Sequence, residues 1–196
     1  MIPGSYTVVL TANGKSYSQP LTVKMDPRVK TSAADLSQQL QLSQRLYTQL
    51  QTLAPAVEQA NATHKQLKEV RLKLSEGMLA AAVDQVDQKV QAVAGGTTRR
   101  PGAGTEPPTL GAMRTRYLAL FNALQEADLA PTTQMTKAVG ELEQQLPPLM
   151  TQWQAIKSQD IPELNRQLKS SKLPEIKLET AGVGTARATV SSKDED

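Results

Sequence analysis

An antiparallel bundle of about four helices behind a short N-terminal β-hairpin is the architecture the residue pattern predicts, a mainly α protein. Apolar residues alternate with polar ones from Tyr6 to Met25, and from Ser32 onward they recur every three or four positions. Hydrophobic residues make up 39% of the 196, yet aromatics only 3%, the composition of helices packed through Leu, Val and Ala without large rings.

In the hairpin, Tyr6, Val8 and Leu10 share one face, and Tyr17, Leu21, Val23 and Met25 resume it after Asn13-Gly14, the pair that tolerates the positive φ angles of a type I′ turn. A two-residue loop there sets Leu10 opposite Tyr17 and Tyr6 opposite Leu21. Pro20 cannot donate to a ladder and belongs at an edge or bulge. Two strands alone are marginal in water. Either the helices that follow cover this hairpin or the further strands of a β-sandwich do.

Asp26-Pro27-Arg28 ends the strand, and Ser32 with Asp35 reads as the capping box of a long helix. Its apolar stripe is Leu36, Leu40, Leu46, Leu50, Leu53, Val57, Ala60, His64, Leu67, Val70 and Leu74, with Ser43 in its one gap. At about 1.5 Å per residue it extends on the order of 60 Å, with a kink or break expected near Leu53 because Pro55 lies inside it. Gly77 permits a turn into a second helix with the stripe Leu79, Val83, Val86, Val90 and Val93, ending at Gly95-Gly96. Residues 95–109 read as a flexible Gly/Pro connector. Thr109 is the expected N-cap of a third helix carrying Leu110, Met113, Tyr117, Leu120, Phe121 and Leu124.

Pro131 suits the first turn of a fourth helix, whose stripe Met135, Val139, Leu142, Leu146, Leu149, Trp153 and Ile156 keeps four-three spacing. Pro147-Pro148 predicts a bend within it. Asp160-Ile161-Pro162-Glu163 reads as the capped start of a short helix through Leu168. The expected division is 1–30 hairpin, 31–178 helical bundle and 179–196 disordered tail, the last too poor in apolar residues to order itself.

Composition removes whole classes of chemistry. Without Cys there is no thiol nucleophile, disulfide, zinc ribbon or iron–sulfur site, and an imidazole mechanism has only His64. Twenty-two Lys and Arg against 19 Asp and Glu leave a charge of +3 over the whole chain, so dedicated nucleic-acid binding is not indicated. No apolar run approaches the roughly 18 residues of a membrane span. The opening residues carry neither a basic nor an apolar export region, so the chain as given shows no signal peptide.

Each remaining candidate has a plain explanation. His64 sits in the apolar stripe and reads as a packing histidine; Asp84 and Asp87 lie off the second stripe and read as a solvated face. Lys65, Lys68, Arg71 and Lys73 form a basic run that Glu69 and the C-terminal end of the helix dipole account for. The Gly-rich loop follows a helix and lacks the Gly-Lys-Ser/Thr ending of a phosphate cradle. Tyr117 and Trp153 read as core. No residue is assigned to catalysis, metal or cofactor.

The run Pro3-Gly4-Ser5-Tyr6-Thr7-Val8-Val9-Leu10, then Asn13-Gly14-Lys15, then residues 20–29 from Pro20-Leu21-Thr22-Val23 to Arg28-Val29 resembles the end of the last β-sandwich module in exported bacterial sortilin-like, glycosyl-hydrolase-like proteins with neuraminidase-type repeat propellers. The residues from Thr31, including Ala130-Pro131-Thr132 and Leu164-Asn165, resemble their C-terminal helical region. The resemblance implies that the hairpin is a remnant of an immunoglobulin-like sandwich, that any hydrolase activity belongs to a propeller this chain lacks, and that the location is extracytoplasmic. The resulting expectation is a non-catalytic interaction module, the C-terminal fragment of such a protein, whose partner surface is the hairpin face Tyr6, Val8, Leu10, Leu21 and Val23. Two alternatives stand beside it: a self-contained helical adaptor that binds a partner helix, cytoplasmic if autonomous, and more distantly a hydrolase using His64.

Overall fold

Asn13 and Gly14 take φ angles of 50° and 74°, both in the left-handed region, and reverse the chain between β1 (Gly4–Ala12) and β2 (Lys15–Val23). The computed structural model describes residues 2–95 and 108–178. The strands pair antiparallel with Leu10 opposite Tyr17 and Tyr6 opposite Leu21, the register expected from a two-residue loop. In such a hairpin the pair flanking the loop, Ala12 and Lys15, exchanges both hydrogen bonds, and alternate pairs thereafter do the same. Thr7 and Pro20 fall between, where amides point outward, so Pro20 costs the ladder nothing and leaves a gap on the free edge of β2.

Four helical rods follow. The first, α1 (Ala33–Arg71), spans 39 residues. Ser32 Oγ accepts from the Asp35 amide at 3.1 Å and donates to Asp35 Oδ2 at 2.6 Å, so the carboxylate returns to the cap hydroxyl. The helix runs through Pro55 without the break that was one of the two expected outcomes: the exposed ring removes one hydrogen bond on the solvent side, while Leu53, Ala56 and Val57 stay buried around it. The buried arc is also wider than one stripe. Leu42, Ala56 and Thr63 are buried, whereas Leu40, Leu50 and Leu74 are only half-buried, because other rods contact α1 along more than one line.

The second rod, α2 (Met78–Ala94), and the third, α3 (Leu110–Gln125), both run antiparallel to α1 and lie in series along it. Arg71 and His64 of α1 bond to Asp84 and Asp87 of α2, while Gln39 and Ser43 bond to the end of α3. At the junction Gly95, with φ of 82°, lies against Thr109; a Cβ on it would come within 2.8 Å of Thr109 Cβ, so only glycine fits. Thr109 is the N-cap of α3, as expected. The predicted connector lies almost wholly, at 96–107, outside the described residues, as does the predicted tail 179–196.

The fourth rod is α4 (Thr133–Ala155), a π-helical turn (Ile156–Asp160) and α5 (Ile161–Ser170) in one continuous run. Its N-cap is Thr132, so Pro131 lies just outside the helix and not in its first turn as expected. Asp160, read from the sequence as a cap, is helical itself and instead holds Lys89 of α2 at 2.6 Å. The Ile161 amide bonds to the Ile156 carbonyl, five residues back, and this widening makes room for the ring of Pro162 without ending the helix. Pro147 and Pro148 both face solvent, and the helix continues through them.

Rod contacts run from α1 to α2, α3 and α4, from α3 to α2 and α4, and from α2 to α4, the π turn and α5. Trp153, Tyr117, Leu46, Leu53, Leu67 and Leu142 are among the fully buried side chains between them.

Candidate interaction surface

Alternation along two paired strands gathers Tyr6, Val8, Leu10, Tyr17, Leu21 and Val23 onto one face of the hairpin and mostly Ser and Thr onto the other. That apolar face is uncovered. Val8, Leu10, Tyr17 and Leu21 are 51, 61, 57 and 43% exposed, and only Tyr6 and Val23 are half-buried. Tyr6 donates its hydroxyl proton to the Ile2 carbonyl at 2.5 Å. Among the described residues neither strand brings a Cα within 8 Å of any helix, so these helices do not roof the ribbon. Tyr17 belongs to this surface although it was left out of the expected contact set; the period of two already places it there. Val9, 59% exposed, and Pro20 stand among Thr and Ser on the opposite face.

The ionisable candidates lie elsewhere and are joined in pairs. His64 Nδ1 meets Asp87 Oδ1 at 2.5 Å, and Gln91 donates to the other oxygen of Asp87 at 2.7 Å. Arg71 Nε donates to both oxygens of Asp84, at 3.0 and 2.9 Å, and its Nη2 to Glu76 at 2.9 Å. Asp84 and Asp87 are therefore not simply a solvated face: they stitch α2 to α1, through His64 at one point and the Arg71 guanidinium at the other. Glu76 first, and then Asp84, hold the Arg71 guanidinium above its ordinary pKa. Lys65, Lys68 and Lys73 remain exposed. Among the described residues no three His, Asp or Glu side chains come together as a metal site.

Tyr117 and Trp153 are core, as read. Neither the Tyr117 hydroxyl nor the Trp153 indole nitrogen has a hydrogen-bond partner among the described residues. Burial, reinforced by the Glu143 carboxylate and opposed by Arg45, pushes the Tyr117 phenol up to about 12. The Lys157 ammonium stands 5.8 Å over the Trp153 ring.

Two features carried no sequence signal. An open groove of about 760 Å³ runs between α2 and the π turn, lined by Val86, Pro162 and Leu164 with Asp160, Glu163 and Arg166. Beyond α5 the chain turns back as a strap, residues 173–178, gripped by Gln66 and Asn165. Among the described residues no helix is long and apolar enough to cross a membrane. Compared with protein-family models, curated proteins and solved structures, the chain matches none of them.

Proposed function

We propose that this protein is a non-catalytic interaction module in which the helical bundle holds out a β-ribbon to be completed by other strands. The observation that carries the reading is the exposed face of Val8, Leu10, Tyr17 and Leu21 on a two-stranded sheet that no helix approaches among the described residues. Such a ribbon buries too little to be stable alone, and an apolar patch of this kind marks a contact surface.

The register supports a direction for completion. Amides of Ser5, Thr7, Val9 and Thr11 point outward along β1, a full set on a strand without charge or proline. The corresponding edge of β2 is interrupted at Pro20 and begins at Lys15, two devices that discourage pairing. A further strand therefore enters beside β1, and a second sheet packs on the apolar face. The resemblance at residues 3–29 supplies the source: upstream strands of an immunoglobulin-like sandwich in an exported propeller-containing protein, with the bundle as its C-terminal part in an extracytoplasmic setting.

Dye binding and sedimentation of the chain with and without residues 1–27 test the reading. Removal of the hairpin lowers hydrophobic-dye fluorescence and self-association; if both stay unchanged, the hairpin face is not the contact surface. The groove between α2 and the π turn favours a second reading, an adaptor that seats a partner helix there. On that reading, association with the partner survives deletion of 1–27.

A further inference from the structure

Residues 173–178 leave α5 through a tight cap and then run outside any helix or strand. The Lys172 and Leu173 amides bond back to the carbonyls of Lys169 and Leu168, and Lys172 takes φ of 57°. Each of the next contacts involves a side-chain amide reading both polar groups of one backbone residue. Asn165 of α5 donates to the Ile176 carbonyl at 2.9 Å and accepts from the Ile176 amide at 2.7 Å. Gln66 of α1 donates to the Lys177 carbonyl at 2.8 Å and accepts from the Lys177 amide at 2.8 Å. Ile176 turns its amide and carbonyl to α5, and Lys177 turns its own to α1. The strap is thus bonded from both flanks, as a central strand is.

Between those flanks no Cα of α1 comes within 8 Å of any in α5, so the strap fills a seam that the helices leave open. Ile176, 3% exposed, drops into the core there, with Leu173 and Leu178 packed at its rim. Only one side chain is deeply buried; the rest of the recognition is of backbone, indifferent to sequence.

We infer that the α1–α5 seam is a binding site for an extended peptide, with Gln66 and Asn165 as its backbone readers and the Ile176 pocket as its side-chain reader. The ligand class is a short peptide segment that offers one aliphatic side chain to the pocket, as the strap itself offers Ile176. In the resting chain the site is filled in cis. A tethered occupant has an effective concentration of about a millimolar, so a peptide in trans binds only when the strap is weakened.

The test uses the full chain and a fluorescein-labelled peptide with the sequence of residues 171–178. Wild type shows no saturable binding at micromolar peptide, whereas Ile176→Asp binds it at least about tenfold more tightly than wild type, since the tether no longer competes. Adding Asn165→Ala to that variant abolishes the binding. Should Ile176→Asp lose its helical circular dichroism, the milder Ile176→Ala serves in its place with the same expectations. Hydrogen exchange on wild type supplies an independent arm: the Ile176 and Lys177 amides are protected although they lie outside any helix or ladder. Absence of peptide binding to a folded strap variant, or unprotected amides at both positions, overturns the inference.

Discussion

His64 Nδ1 lies 2.5 Å from Asp87 Oδ1, and the pair joins α1 to α2 with the imidazole and carboxylate 27 and 15% exposed. Nearer the α1–α2 connection, Arg71 and Asp84 also join the two helices. The only imidazole of the chain is thereby committed to holding two helices in register. Its partner is satisfied on both oxygens, one by His64 and one by Gln91.

His64→Ala is expected to destabilise the bundle by about 1 to 2 kcal/mol, the cost of leaving Asp87 short of a partner in a mostly shielded place. The informative measurement is a double-mutant cycle with Asp87→Ala by urea unfolding. A coupling above about 0.5 kcal/mol is expected for groups in direct contact; additive single effects show that the pair does not hold the seam.

The hairpin face behaves in the opposite way. Val8→Lys and Leu10→Lys remove apolar area that no helix touches, so the thermal transition of the bundle stays within about 0.5 kcal/mol of wild type. Self-association falls, because the altered face is the one offered. A large loss of bundle stability in either variant contradicts the separation of ribbon from helices.

The two edges of the ribbon separate further. Val9 and Ser18 face one another at a pair whose amides point outward, so proline at either position spares the ladder. Val9→Pro blocks strand addition beside β1 and lowers association in sedimentation velocity, while Ser18→Pro, on the edge already broken by Pro20, leaves it unchanged. Equal effects of the two substitutions remove the preference for β1.

Much of this was legible in the residues. Asn13-Gly14 determined the register through φ alone, and the four-three spacing from Val139 to Ile156 marked a face that is buried at every step. One proline misled, because a proline is a local veto that packing can overrule: Pro55 sits mid-helix with Leu53, Ala56 and Val57 buried around it. Pro162 did mark the start of α5, although a π turn joins that helix to α4 without a break. The strap was illegible for a different reason. Gln66 and Asn165 are ordinary polar residues until residues 111 and 11 positions further on fold back onto them, and no periodicity encodes such a return. The pairing of Asp84 and Asp87 was hidden likewise, since it depends on which helix lies opposite.

Tyr117 gives a pH-dependent prediction. Its phenol is raised to about 12 in the folded chain, above the unfolded value near 10, by burial first and by Glu143 second. The stabilising difference is fully present below pH 10, where both states hold the proton. Between 10 and 12 the unfolded chain releases it while the folded chain keeps it, so stability falls by up to about 1.4 kcal/mol per pH unit. Tyr117→Phe removes this part of the alkaline loss. At neutral pH it costs little or stabilises, because the hydroxyl it deletes is buried without a partner among the described residues. The comparison is the difference in urea midpoint between wild type and variant at pH 8 and pH 11; a difference that does not change with pH overturns it.

Lys172 offers the last prediction. It follows the final turn of α5 in the left-handed region, at the position where helices ordinarily place glycine, and both bonds of that cap are formed by its own amide and that of Leu173. A side chain there costs roughly 1 kcal/mol relative to glycine. Lys172→Gly is therefore expected to stabilise the chain by up to about that amount, an unusual sign for a substitution to glycine. Lys169→Gly, three residues earlier inside α5, supplies the contrast, losing about 1 kcal/mol of helix propensity. Urea unfolding of the two variants side by side decides the matter: opposite signs follow from a left-handed cap that launches the strap, and a loss in both means that the cap is not formed in solution.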